Sequence, residues 1–308
     1  MSAPRDLRIA ALRRFGTAIT FLNVIGRLVL GIEPSWLQMI VAALTAYAVE
    51  LTLEFLGAWS ERRPLQLALD RPASVLDFLL PAHITAMACS MLTYANDRLA
   101  VVAFAVAVGI TSKALLRVRS GTSTRHFLNP SNTGIAITLL LFPWVGVAQP
   151  YQFTERISGA WDWIVPGIVT CLGTLLNAKF TKRLPLIGAW LSVFALQAAA
   201  RSVFFETPFW AALVPMTGLA FLLFTFYMIT DPATTPFEPR RQMLFGASVA
   251  LVYGLLQVVH VVFGLFFALF VVCSVRGVVV WVKSRQPSVV PAPAVEAQPA
   301  ELVVSPGE

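Results

Sequence analysis

Side chains able to do chemistry are few in this chain, and they lie within apolar stretches. Glu50 and Glu54 stand four residues apart, so a helix presents both carboxylates on one face. A carboxylate inside a membrane-length helix is costly and marks an ion or proton site, or else pairs with a structural cation. Glu54 sits near the edge of its segment, where water reaches it. Glu50 lies roughly 9 Å deeper than that edge at about 1.5 Å per residue, which makes it the candidate ion or proton site. His83 is the histidine at mid-depth of an apolar segment, while His126 and His260 stand at segment starts. A lone imidazole there serves packing through hydrogen bonds, or lines a cavity. With no second histidine at ligand spacing, neither a metal nor haem is expected.

A polar, proline-punctuated helix start, Arg125-His126-Phe127-Leu128-Asn129-Pro130-Ser131-Asn132-Thr133-Gly134, stands directly ahead of an apolar run from Ile135 to Val147. Asn caps a helix and Pro occupies its first turn without forfeiting a needed hydrogen bond. That reading does not explain Ser131, Asn132 and Thr133, which carry polar groups onward into the apolar run. Such groups must be satisfied internally or line a cavity. Asn129, Pro130, Asn132 and Thr133, with His83 and Thr217, are the candidate lining of a central cavity. Thr230-Asp231-Pro232 reads as a helix stop and turn, with Asp231 set to pair with Arg240 or Arg241.

The elements that must position these residues are membrane spans. The 308 residues are 57% apolar and 13% charged, against about 25% charged in a soluble domain. Ten segments of near-bilayer length follow a basic leader at 1–14: 15–32, 36–56, 75–95, 98–117, 129–148, 162–178, 184–203, 209–229, 242–257 and 259–281. The first is weakened by Asn23 and Arg27, and the last two nearly touch at Gln257 to His260. Of the 23 Lys and Arg, 19 fall at the leader, at alternate segment ends and at the C-terminal end; only Arg98, Arg156 and Arg201 lie on the other side. This positive-inside bias sets both termini in the cytoplasm. The net charge of +7 is thus spread over short loops, and nucleic acid is not an expected partner. No A-x-A-like cleavage site follows Arg13-Arg14, so the first segment is expected to stay. Residues 283–308, rich in Pro, Ala and Val, are expected to form a disordered cytoplasmic tail.

Ten divides into five and five, and an odd count inverts the second copy. The expected fold is an all-α polytopic membrane protein of about ten transmembrane helices in two inverted five-helix repeats, 15–148 and 162–282, joined by a short external loop at 149–161. Leu80-Pro81-Ala82-His83-Ile84-Thr85 and Val214-Pro215-Met216-Thr217-Gly218 each put a proline near mid-membrane, as in the broken helices that line sites in inverted-repeat proteins. Cys89, Cys171 and Cys273 are isolated within apolar segments, which suggests neither a disulfide framework nor a metal site. G-x-G-x-x-G, P-loop, G-x-S-x-G and H-E-x-x-H patterns do not occur.

Gln38 to Leu56, Leu76 to Tyr94, the His-Phe-Leu-Asn-Pro start at 126–130 and Ile229-Thr230-Asp231-Pro232 together resemble the membrane subunits RnfD and NqrB of ion-pumping flavin electron-transfer complexes. The resemblance covers roughly residues 12–282 and implies a urea-transporter-like fold. A nearer likeness, on Arg125 to Ile135, Leu139 to Val147, Phe224 to Pro232, Asp77 to Thr85 and Tyr94 to Arg98, is to the UnbU-type integral membrane proteins encoded with enediyne polyketide synthases. The RnfD/NqrB resemblance implies FMN on a threonine of the external loop, in an Asp-x-x-Ser/Thr-Gly-Ala-Thr type of motif. Here Ser158-Gly159-Ala160-Trp161 has tryptophan at the acceptor position and glutamate at 155. Ser120-Gly121-Thr122-Ser123 falls on the cytoplasmic side, the wrong one for flavin attachment. Covalent FMN is therefore not expected, and any flavin would be held non-covalently. Three expectations stand: a redox accessory working with other membrane or redox subunits in a bacterial-type inner membrane, a transporter or channel for a small solute or natural product, or an assembly subunit. An enzyme with its own active site has the least support.

Overall fold

In the computed structural model, residues 4–31, 34–67, 72–120, 123–147 and 158–285 are described. Most of the expected external loop and tail, at 148–157 and 286–308, lie outside them. The described chain is helical apart from two short antiparallel ladders. Six helices are long and apolar enough to cross a membrane: Trp36–Glu61, Ala73–Leu92, Trp161–Thr181, Leu184–Phe204, Pro239–Val258 and Gly264–Arg285. Large apolar side chains stand exposed along them, among them Leu44, Leu76, Trp163, Phe204 and Leu255. In a soluble protein this would be an aggregation surface; here it is the face toward lipid. The chain is an all-α, multi-pass membrane protein.

The elements run α1 (Pro4–Ile25), α2 (Trp36–Glu61), α3 (Pro72–Leu92), β1 (Thr93–Tyr94), α4 (Leu99–Leu115), β2 (Arg117–Ser120), β3 (Ser123–His126), α5 (Pro130–Leu141) and β4 (Gly146–Val147). They continue as α6 (Trp161–Leu176), α7 (Leu184–Phe204), α8 (Phe209–Leu213), α9 (Leu219–Leu223), α10 (Pro239–Val258) and α11 (Gly264–Arg285). Several starts follow from local chemistry. The Ser35 hydroxyl accepts from the Gln38 N–H at 3.2 Å and caps α2. Prolines stand in the first turns of α5, α7 and α10, where a missing N–H costs nothing.

Four expected segments differ. The first, read as 15–32 after a leader at 1–14, belongs to a helix that already starts at Pro4, and it is not among the six long and apolar enough to cross. The fifth, read as 129–148, is a helix of only 12 residues. Pro143 cannot continue it, and the chain beyond Phe142 turns so that β4 pairs with β1, Thr93 opposite Val147. The eighth, read as 209–229, breaks into α8, a 3-10 turn at Val214–Thr217, α9 and a π-turn at Phe224–Met228. Pro215 and the extended Gly218 (ψ 141°) supply the break, and its two halves meet at 69°. The fourth is a helix of 17 residues.

Packing follows one order in each half. In the first, α1 lies on α3, α2 on α3 and α4, and α4 on α5. In the second, α6 lies on α9 and its π-turn, α7 on α8 and α10, and α10 on α11. The first helix of each half also ends alike. α1 and α6 run into π-turns, Gly26–Leu30 and Asn177–Thr181, each closed by a left-handed residue, Gly31 (φ 84°) or Lys182 (φ 53°). Asn23 and Asn177 each donate to the carbonyl four residues back and to one on the third segment, Met87 or Phe226.

The two cores are built differently. The first half uses small side chains, with Ala42, Ala46, Ala86 and Ala105 fully buried. At the α4–α5 crossing, a Cβ on Gly134 would stand 2.1 Å from the Ala105 carbonyl oxygen, so only glycine permits this approach. The second half is aromatic: Trp190, Phe194, Phe221 and Tyr253 cluster with ring centroids 4.9–6.5 Å apart, and Trp190 Nε1 donates to the Thr225 hydroxyl at 3.0 Å.

Candidate functional site

One face of α2 carries Tyr47, Glu50 and Glu54 at successive helical spacings, and each meets a polar partner from outside α2. At the outer rung, Arg63 donates to both Glu54 oxygens at 2.7 and 3.0 Å, and the Gln66 N–H adds a bond of 2.6 Å. Arg63 lies outside the spans; its hydrogen bonds to Glu54 and then Glu61 raise it above the usual arginine value. One turn deeper, Lys113 of α4 donates to Glu50 at 2.5 Å. Glu50 is buried and Lys113 a quarter exposed. An alkali cation at Glu50 would therefore have to displace an ammonium already in place. Charge pairing makes the buried carboxylate tolerable.

The third rung lies about 4.5 Å further in by helical rise. Here the Tyr47 hydroxyl is 2.7 Å from His83 Nδ1, and His83 Nε2 is 2.6 Å from the Thr20 hydroxyl. The direction of these bonds can be worked out. The Thr20 hydroxyl has one hydrogen, and it donates to the Gly16 carbonyl at 2.7 Å. Thr20 must then accept from His83, so Nε2 carries the ring proton. Nδ1 is left as an acceptor, and Tyr47 is its donor. The result is a relay, Tyr47 to His83 to Thr20, in which a neutral imidazole is fully satisfied. Tyr47 and His83 also stack at 6.1 Å. Thr20 and His83 line a groove between α1 and α3 together with Phe21, Val24 and Leu80. His83 thus makes the hydrogen bonds of a packing residue and also faces a groove.

The other sequence candidates divide. Asn129, Asn132 and Thr133 are buried at 7%, 1% and 1% exposure, and the two asparagines tie α5 to the later part of the chain. Asn129 Oδ1 caps α5 through the Asn132 N–H at 3.0 Å, while its Nδ2 donates to the Met228 carbonyl at 3.3 Å. Asn132 Nδ2 donates to the Phe266 carbonyl of α11 at 3.0 Å. The Thr133 hydroxyl returns to the Asn129 carbonyl, and Pro130 approaches Gly109 closely. Thr217 is exposed, its hydroxyl spent on the Val214 carbonyl. Thr230 bonds the Phe226 carbonyl.

Asp231 corrects an expectation. Its carboxylate accepts from the Ala233 N–H and the Thr234 hydroxyl, both at 3.0 Å, which closes the Thr230-Asp231-Pro232 turn locally. Arg241 pairs instead with Glu238 at 2.9 Å, one helical turn away. From elsewhere in the chain, Asp231 acts on Arg183, a residue outside the spans whose pKa burial pushes down while Asp231 pushes it up.

Sequence reasoning missed Tyr47, Thr20, Lys113 and Arg183. The spacing of Tyr47 three residues before Glu50 was a usable signal; the partners on α1 and α4 had none. Among the described residues no group of three or more His, Cys, Asp or Glu is placed to hold a metal ion. Of the loop compared with the flavin motif, Ser158 to Trp161 are described, and Trp161 starts α6 with its ring exposed. No family model matches the chain, and no curated protein matches it.

Proposed function

We propose that the protein is an RnfD/NqrB-like, urea-transporter-like membrane protein of UnbU type. In this reading, about ten segments form two inverted five-helix halves with cytoplasmic termini, and the protein serves enediyne-type natural-product biosynthesis as a redox accessory without covalent FMN. Its part is to deliver protons from the cytoplasmic edge to the groove between α1 and α3. The observation that carries this is the run of titratable groups on α2, Glu54, Glu50 and Tyr47, ending on the His83–Thr20 relay. The matched packing order and the paired Asn23 and Asn177 bonds support the two-half arrangement. Polar groups this deep in a span are expensive, and their usual return is an ion or proton path.

A potential-driven proton uptake assay in sealed liposomes tests the reading. Wild type is expected to take up protons and Glu50→Gln to lose most of that uptake; equal rates in the two sink it. For the cofactor, acid precipitation of the purified protein should leave no flavin in the pellet, and flavin retained there contradicts the reading of Trp161. The 69° break at Pro215 to Gly218 favours a second reading, transport of a small solute, because discontinuous helices line transporter sites.

A further inference from the structure

Among the described residues, Arg183 is the most deeply buried arginine, and the side-on edge of its guanidinium has no hydrogen-bond partner. Arg183, at the start of α7, is 1% exposed, and both its Nε and Nη2 are buried without a hydrogen-bond partner. Those two nitrogens form the side-on fork of a guanidinium, the edge that grips an oxyanion with two parallel bonds. The chain uses this edge elsewhere: Arg13 holds both Asp77 oxygens through Nε and Nη2, at 2.6 and 2.8 Å. By contrast, Asp231, the carboxylate whose charge acts on Arg183, is already occupied by the Ala233 N–H and the Thr234 hydroxyl.

More positive charge gathers at the same loop. The guanidiniums of Arg183 and Arg125 lie 4.9 and 5.2 Å from the centre of the Phe237 ring. Arg276 of α11 donates to the Thr234 carbonyl. Phe237 is 63% exposed, so the cluster reaches the surface at the ring while Arg183 lies beneath. Three guanidiniums from three separate parts of the chain thus converge on residues 231–237, against one carboxylate. Leaving a buried charged donor unpaired is among the costlier arrangements a protein can hold.

We propose that Arg183, Arg125 and Arg276 form a binding site for a phosphate group, with the Arg183 fork as its specific contact. A tetrahedral oxyanion suits the site because one oxygen pair takes the fork and further oxygens remain for the neighbouring guanidiniums. The phosphate belongs either to an anionic lipid headgroup or to a soluble phosphate compound. By the charge count, the site opens to the cytoplasmic side. It is independent of the proton-delivery reading.

The test uses the full chain. In neutral detergent, the unfolding midpoint is followed with inorganic phosphate against chloride at equal ionic strength. In phosphatidylcholine nanodiscs, it is followed with and without phosphatidylglycerol. A rise with inorganic phosphate identifies a soluble ligand, and a rise with phosphatidylglycerol alone identifies a headgroup; either supports the site. Arg183→Lys keeps the charge but loses the fork, and should weaken the response roughly tenfold or more. If that variant does not accumulate, Arg125→Gln, on the exposed side of the cluster, should weaken it several-fold. No response in wild type, or a response unchanged in the variants, overturns the proposal.

Discussion

Removing the Asn129 side chain separates a structural joint from a cavity lining. Asn129 does two jobs: its oxygen caps α5 at the Asn132 N–H, and its amide reaches the Met228 carbonyl in the other half. Loss of an N-cap costs about 1 kcal/mol, within a range of roughly 0.5–2. Loss of an interhelical hydrogen bond in a membrane protein costs about 0.6 kcal/mol. Asn129→Ala should therefore destabilise by about 1.5 kcal/mol. Asn129→Ser keeps a capping oxygen but cannot reach Met228, and should lose only about 0.6 kcal/mol. Reversible unfolding in bicelles, by titration with a denaturing detergent, reads both values. A loss in the Ser variant as large as in the Ala variant would refute the cap as the main contribution. Full stability in both, with activity abolished, would return Asn129 to the role of a cavity lining.

Other expectations follow from single contacts. Gly134→Ala drives a methyl into the Ala105 carbonyl, 2.1 Å away; backbone cannot yield as a side chain does, so the cost should reach or exceed the roughly 1–3 kcal/mol of ordinary overpacking. Gly188→Ala is the control, because nothing lies within 4 Å of its added Cβ. Folded yield by size-exclusion profile should collapse for the first and hold for the second, and equal yields would contradict the close α4–α5 crossing. Tyr47→Phe strips His83 Nδ1 of its donor and should cost about 1–2 kcal/mol by the same unfolding assay; an unchanged stability would remove that bond from the account.

The helical class was legible because the apolar runs are long and the charges alternate in side. The start of α5 was legible because Asn129-Pro130 is a local signal, complete within four residues. Its end was misjudged although Pro143 was in view: the apolar run continues to Val147, and the β1–β4 pairing that absorbs it joins residues more than fifty apart. The break at Pro215 and Gly218 was visible, but its angle was not. Glu50 stood out on cost alone, whereas Lys113, its partner 63 residues away, looked like one more positive charge at a segment end. Arg183 was hidden in the same way. It counted toward the positive-inside bias, and nothing in its neighbours marks it as fully buried.

Proton delivery, as proposed, requires His83 to be a working link between Tyr47 and Thr20, reached by protons from the side of Glu54. With only three histidines in the chain, nitrogen NMR of imidazole-labelled protein in bilayers can resolve each ring. His83 should be neutral with its proton on Nε2, should change at Nδ1 in Tyr47→Phe, and should respond to pH on the Glu54 side in a way that is delayed or lost in Glu50→Gln. A proton on Nδ1, or a His83 signal indifferent to pH and to both substitutions, would contradict it.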